Sequence, residues 1–141
     1  MTTIQTANHP LAIAQPGKAL NIALWTLQVL VALALVAAGS GKLLGSPAMI
    51  ALFDAVGIGQ WFRYVTGLLE VLGAVLLIVP SKAAFGSVLL ACVMAGAVVA
   101  HLTVLHTAAT APLVLFAITA LIAWGRRSQM TRLLGSQTFA T

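Results

Sequence analysis

Charged side chains are scarce in this sequence. Only 6% of its 141 residues are Asp, Glu, Lys or Arg, whereas about a quarter of the residues in an ordinary soluble domain are charged. So few charges cannot cover the surface of a water-soluble protein. Apolar residues make up 61% of the chain and occupy long runs, which leave no room for a separate soluble catalytic domain.

Residue patterns typical of several chemistries are also missing. Cys92 is the only cysteine, which excludes an internal disulfide, and without a C-x-x-C motif we expect no thiol-disulfide chemistry from this chain alone. No zinc-ligand spacing, phosphate-binding glycine loop or Ser-His-Asp pattern occurs. The seven Lys and Arg residues lie at the edges of apolar runs, so they suit lipid headgroups rather than nucleic acid. The sequence therefore predicts no metal site and no nucleic-acid partner, and it does not favour a stand-alone enzyme.

Four apolar runs have the composition of transmembrane helices, which need about 20 residues to cross the hydrocarbon core. We predict spans at residues 19–38, 61–79, 83–105 and 109–124. The first span is expected to break at Gly39-Ser40-Gly41. Ser46-Pro47 then resembles a helix start, and residues 47–56 are too short to span, so we predict a helix lying along the membrane surface.

The predicted fold is therefore all-α: a polytopic membrane four-helix bundle with a short interfacial helix between helices 1 and 2. Residues 1–18 form a disordered or surface N-terminal tail, residues 19–125 the bundle, and residues 126–141 a basic cytoplasmic C-terminal tail. Four spans place both termini on one side of the membrane. That side collects five of the seven basic residues, so the positive-inside rule predicts cytoplasmic termini in the cell (inner) membrane.

Glu70 is the most informative polar residue, because it lies near the middle of the second span, where a charge costs roughly 3 kcal/mol. Arg63 lies seven residues, or about two helical turns, before it. The two residues therefore share a helix face, which small residues continue, and that face should point into the bundle. Two interpretations of Glu70 stay open: it bonds another helix and fixes the register, or it belongs to a ligand, quinone or proton site.

His101, near the outer end of the third span, is the candidate partner for Glu70 or Arg63. Its alternative role is that of a hydrogen-bonded packing residue. Lys42, just past the first span, lies at a depth similar to that of Arg63, and either cation can instead extend to lipid headgroups. If the helices pack as an antiparallel bundle, Lys42, Arg63, Glu70 and His101 form an outward-opening polar pocket, which is the predicted ligand-binding site.

Three of these polar residues, Lys42, Glu70 and His101, lie within short motifs that are spread over residues 38–127. The motifs are Gly39-x-Gly41-Lys42-Leu43, Leu52-Phe53 before Gly57, Gly67-Leu68-Leu69-Glu70-Val71-Leu72-Gly73-Ala74, Pro80, and Met94-x-Gly96-Ala97 with His101. This stretch resembles the DoxX-like family of small membrane proteins. The resemblance implies a four-helix membrane fold in which Lys42, Glu70 and His101 match the family's polar pattern. It also implies a link to quinone-coupled sulfur oxidation, to redox-stress complexes or to chaperoning of membrane proteins.

We therefore expect an accessory subunit of a redox system that binds a quinone or another small apolar ligand within the bundle. Its partners would be the lipid bilayer and a membrane or peripheral oxidoreductase. Whether the chain also forms a homo-oligomer stays an open alternative. The alternative is a non-catalytic assembly or interaction factor whose polar face binds a partner helix. A small transporter is disfavoured, because the sequence shows no internal repeat and no pair of broken helices.

Overall fold

A computed structural model describes residues 17–135, and every regular element in that range is an α-helix. The helices are α1 (Lys18–Leu44), α2 (Pro47–Val56), α3 (Gln60–Ile78), α4 (Ala83–Thr103), α5 (Thr110–Gly125) and α6 (Arg127–Gly135). Nearly all of the predicted N-terminal tail, residues 1–16, lies outside the described residues. The last six residues of the predicted C-terminal tail lie outside them too.

Three helices, α1, α3 and α4, are long and apolar enough to cross a membrane. They contain 27, 19 and 21 residues, and about 20 residues at 1.5 Å each match the hydrocarbon thickness. The fourth predicted span corresponds to α5, which is apolar but has only 16 residues. The chain is thus a membrane protein whose described residues are all-α, with three helices of full spanning length among them.

The predicted break at Gly39-Ser40-Gly41 is wrong, because α1 continues through these residues to Leu44. A Cβ atom on Gly39 would lie 2.8 Å from Val71 Cγ2 and 2.9 Å from the carbonyl oxygen of Gly67. This glycine therefore serves the close approach of two helices. The helix ends instead at Gly45, whose φ of 70° is in the left-handed region that glycine favours.

The short helix predicted at residues 47–56 is confirmed by α2, which has the same bounds. Pro47 occupies the first helical position, where its missing N–H costs nothing. Gly57, with a φ of 77°, follows the last turn. Phe53 is the buried residue of α2, and its ring lies edge-on to that of Phe62 at 6.0 Å between centroids, so α2 packs on the first turn of α3.

The four longer helices pack in chain order, α1 on α3, α3 on α4 and α4 on α5, and α5 also contacts α1. Small residues allow the closest approaches: a Cβ atom on Gly86 of α4 would lie 2.6 Å from the backbone nitrogen of Leu77. Apolar side chains from all four helices fill the centre, namely Leu24, Val31, Ala32, Leu35, Ala74, Leu77, Leu90, Met94 and Ile122.

The inward face predicted for the second span is confirmed. Its buried residues in α3 are Arg63, Gly67, Glu70, Gly73, Ala74 and Leu77. The sequence also predicts that the opposite face meets lipid, with Leu69, Val71, Leu72 and Leu76. Leu72 is exposed, but the other three are half-buried, Val71 because it packs where Gly39 lets α1 approach. The inward face is therefore wider than the polar stripe alone suggested.

Candidate functional site

An ion pair between α1 and α3 forms the centre of the candidate site. Lys42 Nζ donates hydrogen bonds to both carboxylate oxygens of Glu70, at 3.0 Å to Oε1 and 2.8 Å to Oε2. The Glu70 side chain is only 3% exposed, and that of Lys42 is 15% exposed. A carboxylate among apolar helices needs a partner from the protein. The sequence favoured a partner from the third span, but α1 supplies it.

Helix geometry explains why Lys42 reaches inward. Lys42 lies in the last turn of α1, whereas Glu70 lies near the middle of α3. Side chains on an α-helix lean toward its N-terminus, which for Lys42 is the direction of the bundle centre. Gly67 leaves room for the stem, because a Cβ atom there would come within 3.0 Å of Lys42 Cβ. The lysine therefore binds Glu70 instead of extending outward.

Arg63 lies one turn before Gly67, near the N-terminal end of α3. It is also buried, with 3% of its surface exposed. Its Nε donates to Gln60 Oε1 at 2.6 Å, and Gln60 Nε2 donates to Asp54 Oδ1 of α2 at 2.7 Å. The guanidinium lies under the turn after α1, 3.5 Å from where a Cβ atom on Gly45 would be. One guanidinium nitrogen, NH1, is buried without a hydrogen-bond partner among residues 17–135. Arg63 thus keeps a free donor.

His101 is not bonded to this pair. Its Nδ1 lies 2.8 Å from Thr107 Oγ1, in the turn that follows α4. Gly73 packs on Leu90 where α3 and α4 run antiparallel, so Glu70, three residues before Gly73, is level with residue 93. His101 lies eight residues farther along α4, about 12 Å at 1.5 Å per residue. The structure therefore joins Lys42 to Glu70, places Arg63 next along α3, and leaves His101 in a separate contact.

A second polar cluster, at the opposite end of the bundle, was missed by the sequence analysis. Gln28 of α1 is completely buried, and its Nε2 donates to the Leu77 carbonyl oxygen at 2.7 Å. Its Oε1 accepts a hydrogen bond from Arg126 Nε at 2.9 Å, and Arg126 NH1 donates to Asn21 Oδ1 at 2.8 Å. Arg126 is itself only 7% exposed. This network ties α1 to the C-terminal ends of α3 and α5.

A sequence signal for this cluster was present. Asn21 and Gln28 are the two amide side chains of the mostly apolar helix α1, and they lie seven residues apart, hence on one face. The same reasoning that singled out Arg63 and Glu70 applies to them. Arg126 looked like an ordinary flanking cation because its burial depends on α1, which is about a hundred residues away in the chain.

No group of three or more His, Cys, Asp or Glu side chains within residues 17–135 is arranged to hold a metal ion. The sequence itself matches the model of the DoxX-like family over residues 26–124, which is more than half of its length. The chain belongs to the DoxX-like family. No curated protein and no solved structure matches it.

The family match covers one polar cluster of this DoxX-like protein fully and the other only in part. Lys42, Arg63, Glu70 and Gln28 lie within the matched residues 26–124. Asn21 precedes them and Arg126 follows them. The Lys42–Glu70 pair therefore belongs to the part of the chain that the family model describes, whereas the Arg126 network extends beyond it.

The DoxX-like protein also has an apolar groove on another side. It measures about 410 Å³ and lies between α4 and α5, lined by Val88, Ala91, Cys92, Ala95, Phe116, Ala120, Ala123, Trp124 and Arg127. None of these residues comes from α1 or α3, which hold the ion pair. The groove is open to the outside of the bundle and is separate from the candidate site.

Proposed function

We propose that this DoxX-like protein is an accessory subunit of a quinone-linked redox system in the cell membrane. In this proposal α1, α3, α4 and α5 cross the membrane as a four-helix bundle, and α2 lies along its outer surface. The bundle binds the oxygen-bearing head of a quinone, or of a similar small apolar ligand, at Arg63 beside the Lys42–Glu70 pair. A membrane or peripheral oxidoreductase carries out the electron transfer.

The proposed crossing by α5 is supported by its position against α1. Although α5 has only 16 residues, Arg126 at its end bonds Asn21 in the first turn of α1. The end of α5 and the beginning of α1 therefore lie at one level. A helix that packs on two spanning helices and ends level with one of them crosses most of the same thickness.

The proposed orientation rests on charge. Lys18, Lys82, Arg126, Arg127 and Arg132 lie at one end of the bundle, and Lys42 and Arg63 lie at the other. The positive-inside rule counts Lys and Arg near span ends, so the five-residue end is assigned to the cytoplasm. Lys42 and Arg63 point into the protein rather than to headgroups. The end that holds them therefore presents even less positive charge to the membrane surface than their number suggests.

The free NH1 of Arg63 carries the ligand proposal. A buried donor without an acceptor costs about 1–3 kcal/mol, and a ligand oxygen removes that cost. A quinone carbonyl is such an acceptor, and the quinone tail is soluble in the surrounding lipid. The Glu70 carboxylate is already occupied by Lys42, so the pair keeps the site polar while Arg63 makes the contact. His101 lies at the same end of the bundle, outside these contacts.

The test is ligand retention. The protein is purified in mild, lipid-preserving detergent, and quinones are extracted and measured by mass spectrometry per mole of protein. Wild type is expected to retain quinone, and Arg63→Gln is expected to lose most of it while remaining folded. Lys82→Gln is the control, because it removes an equal charge from an exposed residue at the other end. Equal retention in both variants, or none in wild type, would refute the proposal.

A non-catalytic assembly or interaction factor is the second candidate. It is favoured by the complete pairing of Glu70 with Lys42, which is what a purely structural pair needs. In that case the purified protein carries no quinone, and cross-linking in membranes captures a partner membrane protein whose stability falls when the chain is deleted. A second copy of the chain is one such partner. Capture of an oxidoreductase, together with quinone in the purified protein, would instead support the accessory redox subunit.

A further inference from the structure

The Arg126 guanidinium is buried at the end of α5 with neutral partners only. Its Nε and NH1 donate to the side-chain oxygens of Gln28 and Asn21. Its remaining nitrogen, NH2, is buried and has no hydrogen-bond partner among residues 17–135. Gln129, three residues later in the chain, has a buried Oε1 that is likewise unpaired among these residues. A buried charge held by amides alone is incompletely compensated, and burial accordingly lowers the pKa of Arg126.

No side chain of this protein can supply the missing negative charge. The sequence contains two acidic residues, Asp54 and Glu70. Asp54 accepts a hydrogen bond from Gln60 in the region of α2, and Glu70 is paired with Lys42. Both lie toward the opposite end of the bundle from Arg126. Among the described residues, the charged side chains at the end that holds Arg126 are all basic, so none of them can supply its counter-charge.

The surroundings of Arg126 match the level of lipid headgroups. The guanidinium carbon of Arg126 lies 5.3 Å from the centre of the Trp25 ring, and that of Arg127 lies 4.5 Å from the centre of the Trp124 ring. Tryptophan concentrates at membrane–water interfaces. Arg126 comes directly after α5 and keeps 7% of its surface exposed, although NH2 itself is buried, so binding of a headgroup oxygen requires the guanidinium to shift toward the exposed edge. Guanidinium groups bind phosphate oxygens with charge-assisted hydrogen bonds.

We infer that Arg126, held in place by Asn21 and Gln28, binds the phosphate headgroup of an anionic phospholipid in the leaflet at the α1 and α5 ends. This site is independent of the quinone proposal, because Arg63 and Arg126 lie at opposite ends of the bundle. The side-chain amides of Asn21 and Gln28 orient the guanidinium. The lipid phosphate provides the negative charge that no described side chain near Arg126 supplies. The lipid thereby fastens α1 to α5.

The experiment measures thermal unfolding of the delipidated protein in detergent after addition of phosphatidylglycerol, phosphatidylcholine or inorganic phosphate. Phosphatidylglycerol is expected to raise the Tm of wild type well above the effect of the other two. Native mass spectrometry then counts retained phosphatidylglycerol. Arg126→Gln is expected to retain at least about tenfold less, the loss that follows from removing one hydrogen bond made by a charged group.

Arg127→Gln is the matched control. It removes the same charge one position away, but Arg127 is exposed and bonds only the Trp124 carbonyl oxygen and ring. It should retain phosphatidylglycerol nearly as wild type does, and Arg126→Lys should fall between wild type and Arg126→Gln. If Arg126→Gln does not fold, the comparison of Arg126→Lys with Arg127→Gln decides, because only the change at Arg126 should lower the retention of phosphatidylglycerol. Equal stabilisation by phosphatidylcholine or inorganic phosphate, or equal loss in both Gln variants, would overturn the inference.

Discussion

Lys42 and Glu70 form an asymmetric pair: the lysine lies in the last turn of its helix, and the glutamate lies near the middle of its own. Lys42 is 15% exposed, so its side chain can turn outward to the membrane surface when Glu70 is removed. Glu70 has no such route, because its side chain is 3% exposed and faces α1. The two halves of the pair therefore contribute differently to stability.

Lys42→Met should destabilise the protein by about 3 kcal/mol, because it leaves a buried carboxylate uncompensated. Glu70→Leu should cost about 1 kcal/mol, since the freed ammonium can reach the interface. The double variant should lose less than the sum of the two single losses. Unfolding in mixed detergent and dodecyl sulfate measures all three. Lys82→Met is the exposed control, and a larger loss in Glu70→Leu than in Lys42→Met would contradict this asymmetry.

Gly39→Ala should destabilise the protein by about 1–3 kcal/mol, the usual cost of overpacking. The new Cβ atom would lie 2.9 Å from the Gly67 carbonyl oxygen, which belongs to backbone and cannot turn aside. The helices must separate, and the Lys42–Glu70 contact lengthens with them. Gly96→Ala is the control, because nothing lies within 4 Å of its added atom. Equal unfolding midpoints for the two variants would contradict the close packing of α1 on α3.

Gln28→Leu should destabilise the protein by about 2 kcal/mol or more, although leucine suits a membrane helix better than glutamine does. The change leaves Arg126 Nε and the Leu77 carbonyl oxygen without their partners. The same unfolding measurement is compared with Thr26→Val on the same helix. Thr26 is exposed and bonds only the Ile22 carbonyl oxygen of its own helix, so its loss should be small. A stabilised Gln28→Leu protein would show that the network is dispensable.

His101→Phe should leave quinone retention at the wild-type level and cost about 1 kcal/mol or less, the net value of one hydrogen bond. The reason is that the His101 ring bonds Thr107 and not Glu70. Thr107→Val removes the other half of that bond and should have the same effect on stability. If His101→Phe lost the ligand while Thr107→Val kept it, His101 would return to the ligand site that the sequence predicted.

A reporter fused to the C-terminus should be active in the cytoplasm, because five of the seven basic residues lie at the end of the bundle from which it extends. Paired fusions of a cytoplasm-active and an export-active reporter measure the orientation. Activity of the exported reporter alone would invert the topology. The Arg126 lipid site would then lie in the outer leaflet.

The sequence predicted the membrane class, the four apolar segments and the bounds of α2 because each depends on local properties. Charge content, run length and the Ser46-Pro47 and Gly57 signals act within a few residues of one another. The inward face of α3 also followed from sequence, since helical periodicity places Arg63, Gly67 and Glu70 on one side whatever they pack against.

Periodicity reports which face of a helix is polar, but it does not report which helix lies opposite. For that reason the sequence by itself determined that Glu70 needs a partner, and only the tertiary structure decided that the partner is Lys42 and not His101. The same limit made Gly39 look like a helix break and Arg126 like a surface cation. Close packing of α1 on α3 and of α5 on α1 gives these residues their contacts, because those contacts join side chains that are far apart along the chain.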